Sequence, residues 1–224
     1  MYTAKLLSIP FGLEKAVPLL KFGKRIKIDL GKVIMEQSPK KQFFFLEAAT
    51  VGLRADVHNY SMLLEKGQFN AGLDLLKSVF FHTVYPTNLL LDNQKTIRSQ
   101  AFLIWIANAP HPGPVWPEIS QAKLDDHTLT VMLFNMNRWQ FLKYLLLNKS
   151  KLQPIFPRVT KFKVKEVVLK SNRTQWLQIG ETPILWQRGT SASISICPNS
   201  LQVIAGYPAK VPLAFTPKDK SVCP

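Results

Sequence analysis

From residue 159 to residue 205 the sequence is almost entirely short strand-like runs separated by turn residues, and this constrains the fold more than any other feature. Residues 159–169, 174–179, 183–187, 191–197 and 201–205 each read as a strand, bounded by Gly, Pro, Asn or Ser. A stretch of 47 residues built only from strands belongs in a β-layered fold, because each half-apolar strand must find a partner layer. In the first run Lys161, Lys163 and Lys165 alternate with Phe162 and Val164. Period two puts the three ammonium groups on one side of one strand, either as a solvated face or as a contact for phosphates or an acidic bilayer.

Upstream the pattern is mixed. Residues 13–23 look like a short helix closed by Gly23 and limited by Pro18. Residues 24–30 alternate from Arg25 onward, which predicts a strand with one wet face shared by Arg25, Lys27 and Asp29. Residues 42–46 read as a second strand, and the mostly small run 47–53 is a place where backbone can approach closely, with Gly52 its key residue. A helical pattern covers 57–81. Residues 88–92 and 98–107 then predict a hairpin joined by the polar turn 93–96, the second strand apolar enough to be central. Prolines and Gly113 force a loop over 108–114, residues 129–134 form a strand, and 137–148 a helix with Trp139, Leu142, Leu145 and Leu146 on one face.

The chain has 224 residues, suited to one ordinary domain, and 46% hydrophobic against 19% charged residues excludes a disordered class. Its formal charge of +15 points to an anionic partner: nucleic acid, a phosphorylated headgroup or an acidic membrane face. Nucleic acid is the weakest of these, since no helix-turn-helix or RNA-binding aromatic pattern accompanies the charge. Cys197 and Cys223 are too few for a disulfide framework and too far apart for a zinc knuckle, which fits a reducing compartment. No apolar run reaches the ~18 residues of a membrane span, and no signal peptide is visible, so a cytoplasmic chain is expected. The oligomeric state is open.

The chemistry-bearing patterns are few. All ten glycines are isolated, so there is no glycine-rich phosphate loop, and the four histidines are scattered singly. Three constellations remain. Asp125 and Asp126 stand at the entry to the strand 129–134, as a solvated turn or as ligands for a hard cation such as magnesium. Glu181 follows Gly180 in a turn between two strands, as a plain turn residue or as a carboxylate that takes a proton from a hydroxyl. Trp105 and Trp116 flank the proline loop, as a packed aromatic cluster or as the lining of an apolar groove.

Taken in order, several of these pieces resemble the C-terminal domain of the diacylglycerol kinase and sphingosine kinase superfamily. They are Ile9-Pro10, Arg25 to Asp29 before Leu30-Gly31, Phe43 to Ala55 with Gly52, Ile106-Ala107-Asn108, Leu124-Asp125-Asp126, Gly180-Glu181, and Ile196 to Leu201. The likeness covers residues 3–206, with 1–12 matching the connection out of a nucleotide-binding domain and 207–224 a Pro/Lys-rich tail. It implies a mainly β fold with a few helices, a two-layer β-sandwich of the lipid-kinase and NAD-kinase C-terminal type. The implied parent activity is transfer of phosphate from ATP, with magnesium, to a lipid hydroxyl. Glu181 would be the proton acceptor, Asp126 the metal-associated carboxylate, and Asn108 and Gly52 the substrate side. The family's separate nucleotide-binding domain would be a partner, and this chain alone would be inactive; the alternative is a non-catalytic basic module that binds an acidic membrane or a partner protein. The sequence departs from the family where Ile179 precedes Gly180, and where His127 follows Asp126 in place of glycine.

Overall fold

The computed structural model describes residues 4, 6–53, 82–110, 122–140, 143 and 159–206. Strands β1 (Lys24–Met35), β2 (Ser38–Phe45), β3 (Ala48–Gly52), β4 (Thr87–Leu91), β5 (Lys95–Ser99) and β6 (Leu103–Ala107) precede β7 (Leu129–Phe134), β8 (Val159–Val164), β9 (Glu166–Ser171), β10 (Gln175–Ile179), β11 (Thr182–Trp186) and β12 (Ser191–Ala205). Six form a first sheet in the order β2-β1-β12-β9-β4-β5, and six a second in the order β11-β10-β3-β6-β7-β8. Neighbours within both sheets pair antiparallel. The expected two-layer, mainly β architecture is what the chain adopts.

The two sheets face each other across one apolar core. Val33, Leu89, Leu169 and Ile194 of the first sheet pack into the same buried cluster as Val51, Ile106, Val131 and Leu177 of the second. Each such fully buried aliphatic side chain is worth roughly 1.5–3 kcal/mol relative to exposure. The second sheet is also buried on its outer side, where Leu103, Trp105, Met132 and Phe134 form a separate cluster. Burial on both faces explains why β6 is continuously apolar and β7 is apolar except at Thr130, with no alternation in either.

Where sequence reading and structure differ, the chain changes sheet or direction. The run 98–107 is not one strand: β5 ends at Ser99, whose Oγ accepts the N–H of Ala101 at 3.1 Å, and the chain crosses to the second sheet before β6. The β4–β5 hairpin does form, with its turn at Asp92 to Gln94. The run 159–169 likewise divides at Lys165 into β8 of one sheet and β9 of the other. That crossing is pinned by Asp92, whose Oδ1 accepts the N–H groups of Lys165 at 2.8 Å and Glu166 at 2.9 Å. Conversely, runs 191–197 and 201–205 fuse into the single strand β12.

Pro18 separates two four-residue helices, α1 (Leu13–Ala16) and α2 (Leu19–Phe22), and neither buries a residue. The expected helix at 137 opens on a reciprocal cap: Asn137 Oδ1 accepts the N–H of Gln140, and Gln140 Oε1 accepts that of Asn137, both at 2.9 Å. Its expected apolar face beyond Gln140, the helix at 57–81 and the tail 207–224 lie outside the described residues. Among the described residues no helix is long and apolar enough to cross a membrane.

Candidate functional site

The β1–β12 ladder is interrupted at one point. Ile28 pairs with Leu201 and Leu30 with Cys197, so Pro198, Asn199 and Ser200 bulge opposite Asp29 alone. The bulge shifts the alternation of β1. Ile26 and Ile28 are inward before it, Gly31, Val33 and Met35 after it, and Asp29 at the switch is fully buried instead of wet.

A buried carboxylate needs donors, and Asp29 has them. Its Oδ1 accepts the Asn199 N–H at 2.8 Å, and its Oδ2 accepts the His127 N–H at 2.8 Å. The imidazole of His127 adds its Nδ1 at 3.1 Å from Oδ1 and 3.2 Å from Oδ2. A carboxylate offers only acceptors, so this contact selects the Nδ1–H tautomer and directs Nε2 away from Asp29. Both backbone donors come from left-handed residues, His127 at φ 56° and Asn199 at φ 51°. Such conformations persist where surrounding bonds hold them. The Asp29 main chain is filled too: its N–H donates to Leu124 O at 2.6 Å, and its C=O accepts Asn108 Nδ2 at 3.0 Å.

Asn108 extends the network into the second sheet. It is fully buried at the end of β6, where Nδ2 also donates to Leu46 O at 2.9 Å and the backbone N–H donates to Glu47 O at 2.9 Å. Its Oδ1 has no partner. On the other side of the same β3 entry, the Gly180 N–H donates to Ala48 O at 3.0 Å. This places the β10–β11 turn, with Glu181, at the same sheet end as Asn108. A positive φ of 58° at Gly180 supplies what the first position of a type II′ hairpin requires. Glu181 itself is exposed.

Asp126 stands at this end as well, just before β7. Its Oδ1 accepts the Thr128 N–H at 3.2 Å and the Thr128 hydroxyl at 2.8 Å, and Oδ2 lies 3.2 Å from Lys163 Nζ. With an ammonium on one oxygen and a threonine turn on the other, this donor set does not suit a divalent cation. Among the described residues no group of three His, Cys, Asp or Glu side chains comes together to hold one.

Gly52 is elsewhere. It terminates β3 at the opposite end from Ala48, about 13 Å along the strand at ~3.3 Å per residue. There, with φ 98°, a Cβ would stand 2.7 Å from Phe102 O, so the backbone approach excludes a side chain. It lines a cleft of about 230 Å³ with His82, Tyr85, Gln175, Trp176 and Leu185. The lysine stripe is also rearranged. Lys161 and Lys163 lie on β8 opposite Met132 and Thr130, Lys163 is paired with Asp126, and Lys165 sits beyond the strand end. Trp105 is buried in the outer cluster of the second sheet, and Trp116 lies outside the described residues.

Sequence reading did not single out Asp29 as a site residue, and took His127 as an isolated histidine. The available signal was the Cys197-Pro198-Asn199-Ser200 interruption of an otherwise strand-like run. What it could not supply was the partner strand. Asp29, Asn108, His127 and the 196–201 run are 19 to 79 positions apart from neighbour to neighbour in sequence, yet they meet around one carboxylate.

This architecture is shared with solved proteins. A putative diacylglycerol kinase from Bacillus anthracis str. Sterne superposes with a TM-score of 0.67 at 19% identity, over 93% of this chain and 65% of that one. The chain has a diacylglycerol-kinase-like β-rich fold. A second structure, of a diacylglycerol kinase from the same strain, gives 0.62 at 15% identity, over 93% of this chain and 64% of that one. The chain thus spans slightly less than two thirds of the length of these proteins. No family model and no curated protein matches its sequence.

Proposed function

We propose that this chain is the lipid-receiving β-domain of a diacylglycerol-kinase-like protein whose parent activity is ATP-dependent phosphorylation of a lipid hydroxyl. The observation that carries the reading is that a likeness over 93% of the chain coincides with the gathering of Asn108, Asp126 and Glu181 at one end of the second sheet. Glu181 is the proposed proton acceptor, on a rigid two-residue turn. Asn108 fixes the neighbouring backbone, and the Gly52 cleft at the far end, of mixed polar and apolar lining, is the proposed substrate side. ATP and magnesium would be supplied with a nucleotide-binding domain, and the chain alone is expected to transfer no phosphate.

One observation favours a second reading. The Lys163–Asp126 pair occupies the carboxylate that the family resemblance makes a metal ligand, which suits a non-catalytic basic module. Binding of a fluorescent diacylglycerol analogue in uncharged detergent micelles separates the two. Saturable binding, weakened by Leu185→Ser on the exposed wall of the Gly52 cleft, is expected of a lipid-receiving domain. Its absence overturns that reading, and ATP-dependent phosphorylation by the purified chain alone overturns the claim of inactivity.

A further inference from the structure

An ordinary surface helix turns its large apolar residues inward and its polar ones to water. The segment around α1 and α2 does the opposite. Ala16, Leu19 and Gly23 form its half-buried side, and Gly23 is so close to β12 that a Cβ would collide with the Ile204 side chain. Outward stand Phe11 (67% exposed), Leu13 (80%), Val17 (50%), Leu20 (74%) and Phe22 (74%). Half of the large apolar side chains that the described residues expose lie in these twelve positions. A cluster of that density on a surface marks an interaction site.

The charge around it chooses the partner. Lys15, Lys21, Lys24 and Arg25 are exposed in the same stretch, against one carboxylate, Glu14. Lys21 Nζ lies over the Phe22 ring, 5.3 Å from its centroid, so a cation sits directly beside the outward apolar side chains. Apolar side chains pointing out, ringed by cations on flexible stems, match an interface of acyl chains below and anionic headgroups above. A second copy of the same surface would set like charges against each other.

We infer that the α1–α2 segment is a membrane-docking surface that inserts Phe11, Leu13, Leu20 and Phe22 shallowly into an anionic bilayer. This moves the membrane contact away from the Lys161–Lys163 strand face. It stands apart from the lipid-phosphorylation reading, because it concerns the bilayer surface and needs no lipid substrate.

The test is co-sedimentation of the full chain with phosphatidylcholine vesicles and with mixed phosphatidylcholine and phosphatidylglycerol vesicles, both free of diacylglycerol. Binding to the mixed vesicles is expected, weakening steeply with salt. Leu13→Ser/Leu20→Ser/Phe22→Ser should lower partition about tenfold or more while leaving the fold intact, since none of the three is buried. Lys15→Glu/Lys21→Glu/Lys24→Glu should lower it about tenfold on anionic vesicles only. Arg98→Glu/Arg173→Glu/Arg188→Glu, an equal change of charge at exposed sites elsewhere, should retain most of the binding. Equal loss in that control, no preference for anionic vesicles, or a dimer that the serine variant dissociates would each overturn the inference.

Discussion

The N–H of Asn199 donates to Asp29 Oδ1 at 2.8 Å across a break in the β1–β12 ladder. This bond makes the interruption in β12 a built feature. The bulge opens room for a carboxylate, and the carboxylate satisfies the backbone that the bulge frees. The same carboxylate reaches His127 at the entry to β7, so one side chain ties the first sheet to the end of the second.

Removing that carboxylate leaves the backbone N–H groups of Asn199 and His127 without their acceptor in a buried place. Asp29→Ala should therefore cost about 3 kcal/mol or more in urea unfolding. Asp29→Asn keeps the shape and one acceptor oxygen, and should cost less. Equal stability of all three proteins would remove Asp29 from the centre of the network.

His127 pairs with Asp29 and also holds a left-handed backbone, and these two effects have opposite consequences for substitution. His127→Ala loses the imidazole and keeps the strain. His127→Gly loses the imidazole but relieves the strain, by about 1 kcal/mol. The expected order of melting temperature is wild type, then the glycine variant, then the alanine variant. An alanine variant more stable than the glycine one would contradict the backbone assignment.

At Gly52 both φ and space exclude a side chain, because the nearest obstacle is the Phe102 carbonyl and not a movable side chain. Gly52→Ala should cost roughly 2–4 kcal/mol and disturb the adjacent cleft. Gly180→Ala has open space around the added methyl and strain only from its φ of 58°. It should cost about 1 kcal/mol. Paired thermal denaturation measures the difference.

Glu36 closes the β1 end of the first sheet by accepting the Ser191 hydroxyl at 2.8 Å and the Ser191 N–H at 2.7 Å. These bonds, the hydroxyl's first, hold its carboxyl below the ordinary value of 4.5. The folded state therefore favours the charged form, and the stabilisation is present above 4.5 and is lost as pH falls through the lowered value. Glu36→Gln should be less stable than wild type at neutral pH, and the gap should close in acid. A gap that stays constant from neutral to acidic pH would remove the carboxylate from this closure.

The Lys163–Asp126 pair has an ammonium side chain that is 54% exposed, so its contribution is small despite its position. Lys163→Met should change stability by less than about 1 kcal/mol. A larger loss would show that the pair helps to fix the entry of β7.

Local periodicity determined most of the strands here. The segment 24–30 was legible from its period-two alternation, and 88–92, 129–134 and 174–179 as short runs rich in apolar and β-branched or aromatic residues with turn residues around them. The charge and the isolated glycines were equally plain, and with them the absence of a phosphate loop. Tertiary structure decided where a run divides. Nothing local in 98–107 or 159–169 says that the chain leaves one sheet for the other, since both halves of each run are strand-like and the crossings are held by hydrogen bonds such as those of Ser99 and Asp92. It also decided that Asp29 is buried. Alternation assigns Asp29 to water; the Pro198 to Ser200 bulge on a strand 170 positions away turns it inward, and Asn199 and His127 supply its donors. Hydrogen bonds that satisfy a buried charge come from whichever chain segments the fold brings together, and sequence spacing carries no record of that meeting.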